Sequence, residues 1–581
     1  MVDDYLVTTA LEETWPKKGE ILFLGEWCKL YKRKEVWAKL TYEDFPYHWD
    51  NRYKLESDYI YLNELYERLI KILVVKLNQF HEKNYSVNYW RILIGWWLLY
   101  TLNVLFDRWE LIRLVSTNRK GLKTIIFDDE LSNYIPKDHI ELTQLCDDDY
   151  WNSLIFSKIL NYFKDINTEC INGKKDFSII HVKSNKKGTL KHFFFRYFQK
   201  ISCFFSRENS PIILTPYISY LNETLLNFSF FRLPLFFNLN KFEQVEPNLD
   251  SRDWNLSLDT DNKFESFICE IIGNLLPINY LEGYSKLNLF LNKLNWPDKP
   301  NFIFSSNSFY YDDIFKLYAA KKKEYNTKIV TGQHGGHYGI GKFSFLEDYQ
   351  LSISDIFISW GWKDQKKNVK PLGNLSKLKL NYTNSNQQKI LIVTTSMPRY
   401  SYHLYSVPIA SQWLQYFNDQ IKFINCLNEI LLNDVIVRLH PSDYEWDQLN
   451  RWKDKFPNLQ YDDASKSIKK TLHYVKLYIS TYNATTFLES ISNNIPTVIF
   501  WNPNHWELRE SAIEIFEELK KVKVFHETPS SAALHVNNIS GDILGWWNSV
   551  DVKITIERFK KEYCNQENFS LKELRNILNS N

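Results

Sequence analysis

From about residue 300 to residue 521 the sequence alternates short apolar runs with amphipathic stretches, and this rhythm leaves few folds open. NFIFSS, KIVTGQHGG and DIFISWGW read as strands, with a helix over 312–325 between the first two. A stretch at 363–389 rich in Lys, Asn, Ser and Gln has the composition of a linker. Beyond it the strands KILIVTTS, DVIVRLHP, NLQYDD, KLYIST and IPTVIFW alternate with helices over about 408–432, 445–456, 465–473, 484–494 and 505–521. Apolar strands separated by helices belong to a parallel sheet covered on both faces. The fold class that follows is α/β, with a first domain at 1–370, a linker at 371–388 and a doubly wound C-terminal domain at 389–581 whose last helices can pack back on the first. Such sheets bind ligands beyond the carboxyl ends of their strands. Function is therefore expected in the loops just after these runs.

The first 300 residues are less regular. ILFLG (21–25) and TIIFDD (124–129) are strand-like, helices are expected between about 58 and 115, and the periodicity over 120–260 is too weak for a topology. The apolar run 90–106 carries Arg91 and Asn103 and falls short of the ~20 residues that a membrane span requires. A buried helix is expected there. The acidic, strand-like opening MVDDYLVTTALEETW does not resemble a secretory signal. At 581 residues the chain exceeds one core, and a net charge of +2 supplies no field for nucleic acid. Cys28, Cys146, Cys170, Cys203, Cys269, Cys426 and Cys564 are odd in number and never spaced C-x-x-C. That fits a reducing, cytoplasmic location and argues against a disulfide framework or a structural zinc site. Aromatic residues reach 16%; such rings pack well against sugars, although any single ring is first a core residue.

Four loops follow strand-like runs. The first, GQHGGHYGIGK, sets Gln333, His334, His337 and Lys342 among five glycines, including Gly335 and Gly336. Glycines let backbone N–H groups approach an anion, and two imidazoles suit acid–base work near neutral pH. The G-x-x-x-x-G-K spacing ends in Phe343 where a P-loop needs Ser or Thr for magnesium, so a P-loop is rejected. The second, RLHPSDYE, places Arg438 and His440 at a strand end, suited to phosphate oxygens. In the third, STYNATTFLES, Ser480, Thr481, Asn483 and Thr485 flank a helix start that favours anions, with Glu489 one to two turns on, placed for a ribose hydroxyl. The fourth, TTSMPRYSYH, offers Arg399.

The order of a Q-H-G loop, an R-x-H-P turn and an S/T-rich strand-to-helix turn resembles polysaccharide enzymes with two facing Rossmann-like domains (GT-B), among them CDP-glycerol glycerophosphotransferases and capsule Kdo transferases. The strings ILFLGEWCKLY, YHWDNR, YWRILIGWWLLY, RYSYHLYS, STYNATTFLE and FWNPNHWELRE resemble, more closely, a family of bacterial surface-polysaccharide transferases. The resemblance implies a metal-independent glycosyltransferase without a resident cofactor. Its substrate would be a CMP-, CDP- or UDP-linked sugar, and its acceptor a glycan or a lipid-linked one of lipopolysaccharide, O-antigen or capsule. It further implies His334 as base and His440 as phosphate ligand. Transfer of a phosphoalcohol from a CDP-linked donor, and non-catalytic nucleotide or glycan binding, remain open rivals.

Asp147, Asp148 and Asp149 have the D-x-D spacing of a metal-bound nucleotide site, but CDDDYWN lacks the flanking strands such a site needs. No metal-ligand cluster is expected. The segment 177–207 holds seven Lys or Arg, no acid and a helical stripe of Phe194, Phe198, Ile201 and Phe205. It is the basis for expecting peripheral contact with the inner membrane at its cytoplasmic face.

Overall fold

The computed structural model describes residues 4–173, 207–235, 245–254, 256–364, 368–374, 388–402, 404–565 and 570–580. The basic stripe at 177–206 and most of the linker, 375–387, lie outside the described residues.

The chain is α/β, as its rhythm requires, and each sheet described is parallel. The C-terminal sheet consists of β11 (Lys389–Val393), β12 (Val435–Arg438), β13 (Gln460–Asp462), β14 (Val475–Ser480), β15 (Thr497–Phe500) and β16 (Phe525–His526). Its order, β13-β12-β11-β14-β15-β16, is that of a doubly wound dinucleotide-type sheet. The chain leaves β11 toward one edge and later returns through β14 toward the other, so the loops after these two strands diverge and open a crevice. Expected helix positions hold to within a few residues, for example Thr485–Ser492 and Glu510–Lys521.

The N-terminal half carries two sheets. The second of them is β6 (Ile212–Ile213), β7 (Phe302–Ser305), β8 (Lys328–Gly332), β9 (Ile356–Ser359) and β10 (Val369–Pro371), with neighbours in simple chain order. The first is β1 (Asp4–Val7), β2 (Glu20–Phe23), β3 (Tyr42–Asp44), β4 (Lys123–Asp128) and β5 (Asn167–Asn172), in the order β3-β2-β1-β4-β5. Its strands are only three to six residues long, and β3 and β5 are largely exposed. Hence the weak periodicity.

The middle sheet divides two cores by the two-residue alternation of its strands. Ile303 and Ile329 face the core of the N-terminal half, whereas Phe302, Phe304 and Val330 face the C-terminal core. The helix Val87–Asn118 runs through the N-terminal core and is buried almost all round. It packs against the helices Arg52–His81, Asp149–Phe163, Asp313–Lys323 and Phe345–Ile353 and so joins the first sheet to the middle one. Its polar residues find partners inside: Asn103 donates to the Leu99 carbonyl, and Arg108 donates to Asp107, to Asn152 and to the Ser401 carbonyl. Among the described residues no helix is long and apolar enough to cross a membrane.

After β16 the chain returns to the middle sheet. The N–H of Asn565 donates to the Trp360 carbonyl at 3.1 Å, and that of Asn374 to the Asn565 carbonyl at 2.7 Å. Gly361, at φ +147°, lies where a Cβ would fall 2.5 Å from the Lys561 carbonyl oxygen and 2.7 Å from that of Glu562. Backbone carbonyls cannot swing away as a side chain can. Gly361→Ala is expected to displace the helix Val550–Tyr563 at a cost of about 1–3 kcal/mol, read as a lowered midpoint in thermal unfolding.

Candidate functional site

A cavity of about 500 Å³ lies beyond the carboxyl ends of the middle and C-terminal sheets and takes its remaining walls from helices of the first half. The C-terminal sheet contributes Thr395, Ser396 and Met397 after β11, His440 after β12, and Tyr482, Asn483 and Ala484 after β14. The middle sheet supplies Tyr311, His334 and His337, and the first half adds Trp96, His139 and Asp147. This is the crevice that the strand order of the C-terminal sheet predicts. Its volume lies within the range of small-molecule sites.

The histidine loop is held by its first residue. Gln333 is fully buried; its Nε2 donates to the Gly335 carbonyl, and its Oε1 accepts from the Trp360 N–H and from Trp362 Nε1, each at 2.9 Å. Gln333 thus shapes the loop and does not face the cavity. Gly336 lies directly on the start of the helix Thr485–Ser492, where a Cβ would meet the Ala484 carbonyl carbon at 2.3 Å. The two lobes touch there backbone to backbone, which only glycine permits. Gly335 brings its backbone against the His337 ring, where a Cβ would sit 3.3 Å from Nδ1. Lys342 stands outside the cavity and pairs with Glu56 at 2.7 Å.

His334 and His337 meet solvent only through the cavity and are otherwise surrounded by protein. Burial pushes His334 down to about 4, while burial, His334 and Arg509 push His337 down to about 3. Both rings are therefore neutral at pH 7. His334 Nδ1 lies 3.2 Å from the Tyr338 hydroxyl, which itself donates to Gln350. His337 Nε2 has no partner within the protein, and its ring leans on Tyr338 and Tyr405. His440 is lowered by burial; its Nδ1 sits against the Ser442 backbone, leaving Nε2 for the cavity.

The other expected ligands have different surroundings. Arg438 pairs with Asp462 and donates to the Lys466 carbonyl at 2.7 Å. Arg399 is 4% exposed; its guanidinium donates to Asp149 at 2.9 Å, to Glu445 and to the Trp27 carbonyl. Neither guanidinium lines the cavity. The Ser480 hydroxyl donates to the Tyr482 carbonyl, and that of Thr481 to the Val393 carbonyl, so both brace the crevice from behind. Thr485 is the first residue of the helix under Gly336. Glu489, half-buried one turn on, is pushed up to about 7 by burial, opposed by Lys469. Of the expected residues, then, His334, His337, His440 and Asn483 come together at one cavity, while the arginines hold the protein together.

Sequence reasoning missed the contribution of the first sheet. His139 is 1% exposed with neither ring nitrogen partnered, Asp147 Oδ1 is buried without a partner, and Asn483 Oδ1 is in the same position. Leaving such a group unsatisfied costs about 1–3 kcal/mol, so their gathering at one cavity marks a place built for a polar ligand. Burial drives His139 down to about 3 and Asp147 up to about 7. Much of the remaining wall is aromatic: Tyr100 and Tyr402 stack at 5.1 Å, with Tyr405, Tyr444 and Trp506 beside them. Asp148 caps the helix Asp149–Phe163 through the Trp151 N–H, so the three aspartates do not converge. Among the described residues no group of three or more His, Cys, Asp or Glu is placed to hold a metal ion.

The Arg399 cluster supplies a test of its structural role. Removing one partner of a buried pair strands the other. Asp149→Ala and Arg399→Ala are each expected to lower the unfolding free energy by about 3–5 kcal/mol, and the double variant by less than their sum. Urea denaturation of the four proteins completes the cycle.

Among curated proteins none matches this chain. Solved structures that align with it include a variant of the wall teichoic acid polymerase TagF, at 10% identity and a TM-score of 0.27 over 52% of this chain and 76% of that one. They also include a putative UDP-N-acetylglucosamine 2-epimerase from Listeria monocytogenes, at 8% identity and a TM-score of 0.31 over 53% and 82%. Residues 4–578 match the model of the LIC12162 family transferases. The chain belongs to that family, and it is a transferase.

Proposed function

We propose that this transferase moves a sugar from a nucleotide-activated donor to a surface-polysaccharide acceptor in this cavity. The observation that carries the reading is the meeting of His334, His337 and His440 with the unpartnered Asn483 at the switch point of a doubly wound sheet. Phosphate oxygens of the donor would lie at the loops after β11 and β14, against Ser396 and the N–H groups at the start of the helix Thr485–Ser492. His440 Nε2 would add a hydrogen bond to the same group. The aromatic wall suits the flat faces of sugar and base rings. His334, between the lobes, would serve the reacting centre, where preorganised donors supply most of the rate enhancement in such sites. Because its surroundings keep it neutral, it acts there as a hydrogen-bonding imidazole unless a bound anion recharges it. The acceptor would be a glycan or a lipid-linked one, met at the cytoplasmic face of the membrane.

A thermal-shift screen of CMP, CDP, UDP, GDP and their sugars should show stabilisation by one nucleotide class, since a ligand that binds only the folded state raises apparent stability. With the matching donor labelled on phosphorus, sugar transfer leaves the label on the nucleotide. Label in the polymer would instead establish phosphoalcohol transfer, and stabilisation without turnover a binding protein. His334→Ala should cut turnover by a factor on the order of 10² to 10³ with donor affinity largely intact, as for loss of one preorganised hydrogen bond; an equal loss of both would remove His334 from the reacting centre.

A further inference from the structure

Asp147 is the only carboxylate that lines the cavity among the described residues, and it reaches the site from the first sheet's half, just after the helix His139–Cys146. Its Oδ1 is buried and makes no hydrogen bond within the protein. A structural aspartate at such a place would serve as counter-ion to a neighbouring guanidinium. Two are near, Arg399 and Arg108, and both are already engaged. Arg108 uses all three nitrogens on Asp107, Asn152 and the Ser401 carbonyl. Arg399 uses its terminal nitrogens on Asp149, Glu445 and the Trp27 carbonyl. Asp147 is thus free to meet a ligand, with a hydrogen-bonding oxygen that only a ligand or solvent can satisfy.

Resting on the transferase reading, we infer that Asp147 is the catalytic base that takes the proton of the acceptor hydroxyl. As that proton passes to the Asp147 carboxylate, the acceptor oxygen keeps the O–H electron pair and bonds to the anomeric carbon. The bond from that carbon to the donor's phosphate oxygen breaks, and its electron pair leaves on the phosphate. The histidines are poorer candidates for this step, since burial holds His139, His334 and His337 at about 3 to 4. Asp147 is held up at about 7 by the same burial, opposed by Arg399 and Arg108, and is therefore basic enough to accept a proton and ionised enough to do so near neutrality. Attack by that oxygen on the face opposite the leaving phosphate is a single displacement, so the anomeric configuration inverts.

The groups facing Asp147 are Arg399, Arg108, Glu445, Tyr100, Tyr402, Tyr444 and the neighbouring Cys146 thiol, which burial pushes up. The tyrosines stay protonated in the working range, because burial pushes each of them up. Turnover should therefore fall as pH drops through about 7, following this one carboxyl. Asp147→Asn should reduce turnover by a factor on the order of 10² to 10⁴, lose that acid limb and keep the nucleotide-induced thermal shift of the wild type. Asp147→Ala should regain rate on addition of formate, whose carboxylate fits the space vacated, whereas a merely structural loss would not respond. NMR of the wild-type product, which needs no variant, should show inversion. Retention, or full turnover by Asp147→Asn in a protein that transfers sugar, overturns the assignment and leaves the transferase reading intact. A wild type that binds nucleotide but transfers nothing overturns that reading, and the assignment with it.

Discussion

The Arg399 guanidinium ties the loop after β11 to the first sheet's half, next to the residues that line the cavity. Arg399 comes from the loop after β11, and its partners Asp149 and the Trp27 carbonyl come from the first sheet's half. A few residues on, the Ser401 carbonyl accepts from Arg108 of the central helix, so one loop is held from two directions. The other side of the crevice is closed by Arg509, which donates to Glu347 and to the Gly341 carbonyl of the middle lobe, and by Arg52, paired with Glu507. Charges buried at such cost are not an economical source of stability. Their value lies in geometry, since a planar guanidinium fixes both the distance and the orientation of the groups it joins. Here they flank a cavity whose polar groups come from the loops of two sheets and from two helices of the first half.

That construction also decides the electrostatics of the site. Cations that a sequence reader would assign to phosphate are spent on the frame, and the lining is left with imidazoles, amide and hydroxyl groups, one carboxyl and many rings. In such surroundings charged forms are disfavoured on both sides of neutrality, which is why the imidazoles fall and Asp147 rises. A bound anion changes the balance: it favours protonation of the imidazole nearest to it and disfavours ionisation of the carboxyl. Acid and base assignments in this site therefore depend on which group the phosphate approaches, and the helix start under Gly336 draws it toward the C-terminal wall, on the other lobe from Asp147.

The C-terminal sheet was legible in the sequence because its inner strands are largely apolar and buried on both faces, as in IPTVIFW and KLYIST. The loops that follow them were legible for the same reason. The roles within the loops were less so. Arg438 and Arg399 look alike as strand-end cations, and only the fold reveals Asp462 beside one and Asp149 beside the other. Gln333, read as loop support, is that and more, since it also fastens the loop to Trp360 and Trp362. His139 was not legible at all. It sits at the first turn of a short amphipathic helix, with no neighbouring chemistry in the sequence to single it out, and reaches the cavity only through the packing of that helix against the central one.

The three consecutive aspartates show why spacing alone misleads. A D-x-D pair on a strand end directs two carboxylates to one point. Here Asp147 is still helical, at φ −92° and ψ −8°, as it closes the helix before it, while Asp148 is extended, at φ −87° and ψ 130°, as it caps the helix after it. The change of backbone between them turns the chain and parts the side chains. Asp147 enters the cavity, Asp148 meets the Trp151 N–H, and Asp149 crosses to Arg399. One short turn thus places the lobe-joining ion pair and the cavity's carboxyl at once. The joining of the lobes and the placement of the carboxyl rest on the same turn of this chain.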